Sequence, residues 1–297
     1  MPVVHEIWRY PAKSMLGEAL PSIVISPSGA IGDRGWAVRD EVRGGIRGAK
    51  KIPRLMRLSA RYVSEPTGSM PPPHIEIALP DGGVVRSDEP DVNARLSTAL
   101  DHDVTLWPLQ PADDADHYRR GAPDSDDPLV EMRGMFGLAE DEPFPDISKL
   151  PLDVLVQFES PPGTYFDAYP LHLLTTSSLR SLARLTPDSC IDVRRFRPNL
   201  VIDTEDAPGD PFPEQSWVGN DVEIGELTLR VVSACPRCVM TTHALADLPT
   251  DREVLRSVKR HAHQDFGVYA TVVTPGTISI GDEVRLVRDD APGVNGM

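Results

Sequence analysis

The amino-terminal stretch Met1-Pro2-Val3-Val4-His5-Glu6 has neither the basic segment nor the apolar run of a secretory signal, and no apolar run elsewhere is long enough to cross a bilayer. The cytoplasm is therefore the expected compartment. Bases are few: 30 Lys and Arg face 45 Asp and Glu, a formal net charge of -15. Such a field repels phosphate backbones and anionic lipid headgroups, so neither nucleic acid nor a membrane surface is an expected partner. Any anionic ligand must be held by a local cluster of cations working against that field. Cysteines number only 3, an odd count that builds no disulfide framework. The sequence has no Gly-x-x-x-x-Gly-Lys loop and no strand-coupled Gly-x-Gly-x-x-Gly, which removes the P-loop and dinucleotide-binding readings.

The 297 residues, 40% of them hydrophobic, can build a substantial core in one large or two modest domains. The 30 prolines and 22 glycines point to many short elements joined by turns. Alternating or β-branched runs predict strands at Val3 to Arg9, Ser22 to Ile25, Trp36 to Arg39, His74 to Leu79, Val104 to Leu106, Leu200 to Asp203, Asp221 to Val232, Tyr269 to Val273 and Glu283 to Val287. Helices are predicted at Asp91 to Leu100, Thr176 to Leu185 and Asp251 to His261, each opening on a residue able to cap it. The fold class is a β-rich α+β one. Between Gln110 and Pro151 acids alternate with prolines, and this stretch reads as an acidic connector, mostly mobile loop, that buries little apolar surface.

Three kinds of stretch carry possible chemistry. Cys235-Pro236-Arg237-Cys238 follows a strand-like run; with no second Cys-x-x-Cys and Cys190 standing alone, a structural zinc site lacks its ligand set. The residues after Cys238 read as extended, unlike the helix that follows a thioredoxin-type pair. Two readings stay open: packed, inert thiols, or a metal-ligating thiolate favoured by the cation of Arg237. The second kind is a basic residue beside rigid or glycine-rich backbone: Lys13 and Ser14 after Tyr10-Pro11, Arg34 between Gly32 and Gly35, and Arg197 before Pro198-Asn199. Such placement suits binding of phosphate or carboxylate, while Lys13 read alone is an ordinary surface lysine. The third is the hydroxyl run Thr175-Thr176-Ser177-Ser178, which serves as a helix cap and could also supply donors to an anion.

Taken in order, Tyr10-Pro11-x-Lys13-Ser14, Asp33-Arg34-x-Trp36, Asp116-His117-Tyr118-Arg119, Leu174 to Leu179, Phe196-Arg197-Pro198-Asn199, Cys235-x-Arg237-Cys238, Phe266-Gly267-Val268-Tyr269 and Pro275 to Asp282 resemble the MOSC proteins that carry an N-terminal β-barrel domain. These include the amidoxime-reducing components and the C-terminal module of molybdenum cofactor sulfurase. The resemblance implies a MOSC β-barrel core with a β-barrel-like N-terminal domain: residues 1–108 as that domain, 109–165 as the connector, 166–288 as the MOSC domain and 289–297 as a tail. It also implies the molybdenum cofactor, Mo-molybdopterin. Cys238 would be the metal ligand and catalytic centre, with Cys235 a supporting thiol. Lys13, Ser14, Arg34, Arg197 and Asn199 would hold the pterin and its phosphate, helped by Thr176 and Ser177.

The implied activity is an oxidoreductase that reduces N-hydroxylated small molecules. Three cysteines are too few for an iron–sulfur cluster once Cys238 ligates molybdenum, so electrons are expected from an external flavin or iron–sulfur donor. Two other readings are a carrier or sulfur-transfer module that binds the same cofactor without redox turnover, and a β-rich binding protein with packed cysteines. No pyridoxal-phosphate half is present, which argues against self-sufficient sulfuration.

Overall fold

The structure is a computed structural model describing residues 1–205 and 209–288; the expected tail at 289–297 lies outside the described residues. Its centre is an eight-stranded sheet whose strands run, edge to edge, Val284–Val287, Asp221–Ile224, Leu227–Pro236, Asp265–Thr274, Leu171–Thr175, Leu200–Asp203, Val3–Arg9 and Glu18–Leu20. Every pairing is antiparallel except that of Leu171–Thr175 with Leu200–Asp203. Parallel neighbours need a crossover, and the helix Thr176–Leu185 lies in the chain between these two strands. The first strand of the chain thus completes a sheet built mainly from the second half, with Val4 opposite Ile202 and Ile7 opposite Leu200.

Three smaller sheets of three strands each complete the β structure, and one of them pairs Gly276–Ser279 with Ser22–Ser26. The β-rich α+β class is what the sequence predicts. No closed barrel is formed among the described residues, although an antiparallel bridge from Val3 to Glu283 ties the first strand of the chain to the start of the edge strand Val284–Val287. Alternation decides which side chains go inward. In Leu227–Pro236 the inward set is Leu227, Leu229, Val231, Ser233 and Cys235 without a break.

Two cores result. One lies against the large sheet and joins Val4, Ile7, Leu173, Leu200, Leu229 and Val268. The other fills the N-terminal part with Met15, Val38, Leu55, Ile77 and Leu96, and Met240 and Leu245 from the far end of the chain pack into it. Burying a side chain of this size stabilises by roughly 1.5–3 kcal/mol, so these insertions anchor the segment after Cys238 to the N-terminal part.

The acidic connector differs from its predicted loop character. It folds into helices at Pro128–Phe136 and Leu152–Leu155. The first has complete end signals: Asp127 caps it by accepting from the Leu129 amide at 2.8 Å, Pro128 occupies the first turn and Gly137 closes it in the left-handed conformation. Gly121 fixes where the connector meets the turn at Gly44. A Cβ there would come within 1.8 Å of the Gly44 carbonyl oxygen, so only glycine permits the backbones to meet.

Candidate functional site

Three turns bring the basic candidates together, and each turns on a residue with positive φ: Ser14 at 66°, Arg34 at 53° and Arg197 at 56°. The left-handed conformation costs a non-glycine residue about 1–2 kcal/mol, so surrounding contacts must hold it. They do. The Arg34 amide donates to the Tyr10 carbonyl at 2.6 Å, and the Arg197 amide donates to the Val193 carbonyl at 3.1 Å. The Tyr10 amide donates to Asp33 Oδ1 at 2.8 Å. The Tyr10 ring takes the guanidinium of Arg197 at 4.1 Å and that of Arg34 at 5.3 Å from its centroid, and its hydroxyl donates to the Pro198 carbonyl at 3.0 Å.

This assembly forms one wall of a cavity of about 560 Å³ that Arg34, Lys50, Arg197, Asn199, Cys238 and Tyr269 line. Arg197 stands out among the lining cations together with Arg237, whose Nε is likewise buried without a partner. One terminal nitrogen of Arg197 donates to the Met15 carbonyl, whereas Nη2 is buried with no hydrogen-bond partner. Burial first, and the neighbouring Arg34 charge second, push its guanidinium down to about 10. A guanidinium held beside another without a carboxylate of its own is suited to binding an anion. Arg34 also pairs with the carboxylate of Asp33. Asn199 accepts from the His172 amide at 3.1 Å through Oδ1.

Lys13 stands behind this wall. Its ammonium donates to Ser160 Oγ at 3.2 Å, the Tyr165 carbonyl at 2.8 Å and Asp167 Oδ1 at 2.7 Å, which engages all three of its donors. Burial lowers the Lys13 ammonium, an effect that Asp167 opposes. Lys50 reaches the other oxygen of the same carboxylate at 3.2 Å. Burial would raise the Asp167 carboxyl, but Lys13 and Lys50 outweigh it and hold the group well below the usual range. Lys13 therefore acts on the charge of the wall through Asp167, with all three of its donors engaged by protein groups. Ser14 Oγ accepts from the Ala49 amide at 2.9 Å and likewise serves the turn that presents Lys50.

The two cysteines of Cys235-Pro236-Arg237-Cys238 face different surroundings. Cys235, last of the inward positions of its strand, is fully buried, and its sulfur receives Arg237 Nη1 at 2.8 Å. Burial pushes its thiol up, against the pull of Arg237. Cys238 lies beyond the strand, half-buried at the edge of the N-terminal core, on the cavity lining. Arg237 thus hydrogen-bonds Cys235, while Cys238 is the cysteine with access to the cavity. The residues after Cys238 form a 3-10 turn, Val239–Thr242, instead of the predicted extended run. Thr241 and Thr242 return their hydroxyls to the carbonyls of Cys238 and Val239 at 3.1 and 2.7 Å, which offsets their β-branched preference.

Thr176 and Ser177 are not among the residues lining the cavity. Thr176 donates to Asp203 Oδ1 at 2.6 Å and Ser177 to the Thr204 carbonyl at 2.9 Å, so the hydroxyl run holds the strand Leu200–Asp203 to the helix start and makes no contribution to the cavity. The sequence reading missed Lys50, Lys51, Tyr269 and the connector as parts of the lining. The one usable signal was Gly48-Ala49-Lys50-Lys51, two lysines in a glycine turn just after a short strand.

Comparison with known proteins bears on both halves of the chain. The family model for the MOSC N-terminal beta barrel domain matches residues 1–107, and that for the MOSC domain matches residues 161–285. Mitochondrial amidoxime reducing component 2 of Bos taurus is 26% identical over 305 residues, covering 95% of this chain and 82% of that protein. Mitochondrial amidoxime-reducing component 1 of Homo sapiens is 32% identical over 137 residues, covering 41% of this chain and 38% of that protein. Among solved structures, the YuaD protein from Bacillus subtilis is 11% identical, covers 96% of both chains and superposes with a TM-score of 0.43. No helix among the described residues is long and apolar enough to cross a membrane.

Proposed function

Since the chain belongs to the MOSC-domain proteins with a MOSC N-terminal beta barrel domain, we propose that it is a molybdenum-cofactor-dependent oxidoreductase that reduces N-hydroxylated small molecules with electrons from an external partner. The relatives named as amidoxime reducing components support the reaction class. The observation that carries the reading is the buried Arg197 Nη2, without a partner, on the wall of the cavity that Cys238 also lines. An anionic cofactor with a thiolate-seeking metal fits this pair of features: Arg197 and Arg34 would hold its phosphate, Asn199 would bond its polar edge, and Cys238 would ligate the metal. When bound, that cofactor supplies the two-electron redox chemistry.

The protein's own part is positioning. The Tyr10 ring packs against both guanidinium groups, Asp167 offsets the charge of Lys13 and Lys50, and Cys238 sits between the strand and the 3-10 turn. Electrons come from a flavin or iron–sulfur protein, because three cysteines cannot hold a cluster beside the metal and no dinucleotide fingerprint occurs. Protein purified from a molybdenum-competent host is expected to contain molybdenum and to reduce an amidoxime with a reduced viologen dye but not with NADH alone; a separate reductase restores NADH dependence. Turnover with NADH by the homogeneous chain would refute the external donor. Retained cofactor with no turnover under any donor would assign the chain to cofactor carriage or sulfur transfer.

A further inference from the structure

Another part of the cavity lining is of a different character. The connector supplies it: Met132, Met135, Ile147, Leu150, Leu155 and Val156 line the same cavity as Cys238. The first five are half-buried, and Val156 is 75% exposed, so apolar surface is left uncovered on the cavity side. The charges nearest this wall are paired with one another. Lys51 meets Asp124 at 2.8 Å and also Glu131, and Arg120 meets Glu159 at 2.7 Å. The wall is also held in place: the Phe136 carbonyl accepts from Gln264 Nε2 at 3.0 Å, and Lys259 pairs with Glu142 at 3.0 Å.

A phosphate and the polar edge of a heterocycle find their partners on the arginine side and none among these side chains. The apolar wall therefore belongs to what binds after the cofactor. We infer that the connector is the specificity element of the site and selects substrates in which the N-hydroxylated head carries an apolar alkyl or aryl body. The inference rests on the reductase reading above. Two unbranched methionines at the wall adapt to bodies of different shape, so selection is by apolar area more than by outline.

The test uses the holoprotein and two matched series: linear alkylamidines, which are not reduced, measured by calorimetry, and the corresponding alkylamidoximes, measured by turnover with a viologen dye. Affinity in the first series is expected to tighten about fourfold per added methylene until the wall is covered, and kcat/KM in the second to rise in parallel. Leu155→Asn and the milder Met135→Ala are expected to flatten both slopes. Val130→Asp, on the outer face of the same helix with Val130 56% exposed and outside the cavity lining, leaves them unchanged. A chain-length slope near zero in the wild type, or an unaltered slope in both wall variants with unchanged melting temperature, overturns the inference. A preserved slope for amidines with no amidoxime turnover supports the apolar-body site while refuting the reductase reading.

Discussion

Two regions of this molecule carry side chains suited to holding an anion, and they differ in whether those side chains are already engaged. At the start of the helix Thr176–Leu185, Thr175 and Ser178 share the buried carboxylate of Glu214, and Thr176 donates to Asp203. Two acids sit where a phosphate would have to bind, and the hydroxyl protons point at them. At the arginine turns, Arg197 keeps a buried Nη2 with no partner beside a second guanidinium. A residue type that can bind an anion marks a site only where the fold leaves its donors unmatched. The same contrast separates Cys235, whose sulfur receives Arg237, from Cys238, which lines the cavity.

The largest expected effect tests the cysteines. Cys238→Ser is expected to lose molybdenum and activity, since a hydroxyl is a far poorer ligand than a thiolate for a soft metal centre, while Cys235→Ser retains most of both; metal analysis and dye-driven turnover read the outcome. Equal losses in the two variants would break the contrast. Next come the arginines. Arg34→Ala and Arg197→Ala are each expected to weaken cofactor retention by about ten- to a hundredfold, the equivalent of about 1.5–3 kcal/mol for a hydrogen bond to a charged group. The double variant should lose less than the sum because both side chains face one anion. Cofactor occupancy unchanged in both single variants would remove the shared site.

Smaller effects belong to the helix start. Thr176→Val and Ser177→Ala are expected to cost about 1 kcal/mol of stability each through lost hydrogen bonds, visible in denaturant unfolding, with cofactor retention within about twofold of wild type; a large drop in retention would return this helix to the binding site. Glu214 gives a pH-dependent signature. Burial raises its carboxyl above the ordinary value of 4.5 despite the bonds from Ser178 and Thr175. Between 4.5 and that raised folded value the folded state binds more protons than the unfolded one, so this group's contribution to stability falls as pH rises through the window. Glu214→Gln is expected to flatten that slope and to leave the protein more stable than wild type above it. A melting temperature whose pH profile does not change would show that Glu214 ionises freely in the folded state.

Local pattern alone determined much of this protein. The period-two pattern of Leu227, Leu229 and Val231 is legible in the sequence, whereas the strand runs on past its predicted end at Val232 to Pro236 and so carries Cys235 inward by the same parity. The helix predicted from Thr176 to Leu185 is the helix observed, since its cap and its amphipathic face lie within one contiguous segment. The connector helix Pro128–Phe136 was readable from Asp127, Pro128 and Gly137 but was masked by the density of acids around it. Tertiary structure decided the rest. That Lys13 turns to Asp167, that Arg34 and Arg197 flank one tyrosine ring, and that an acidic connector presents an apolar wall all depend on partners far away in the chain. Whether a donor is matched or left open depends on which distant acceptors the fold brings within about 3 Å of it, and residue spacing along the chain carries no information about that distance.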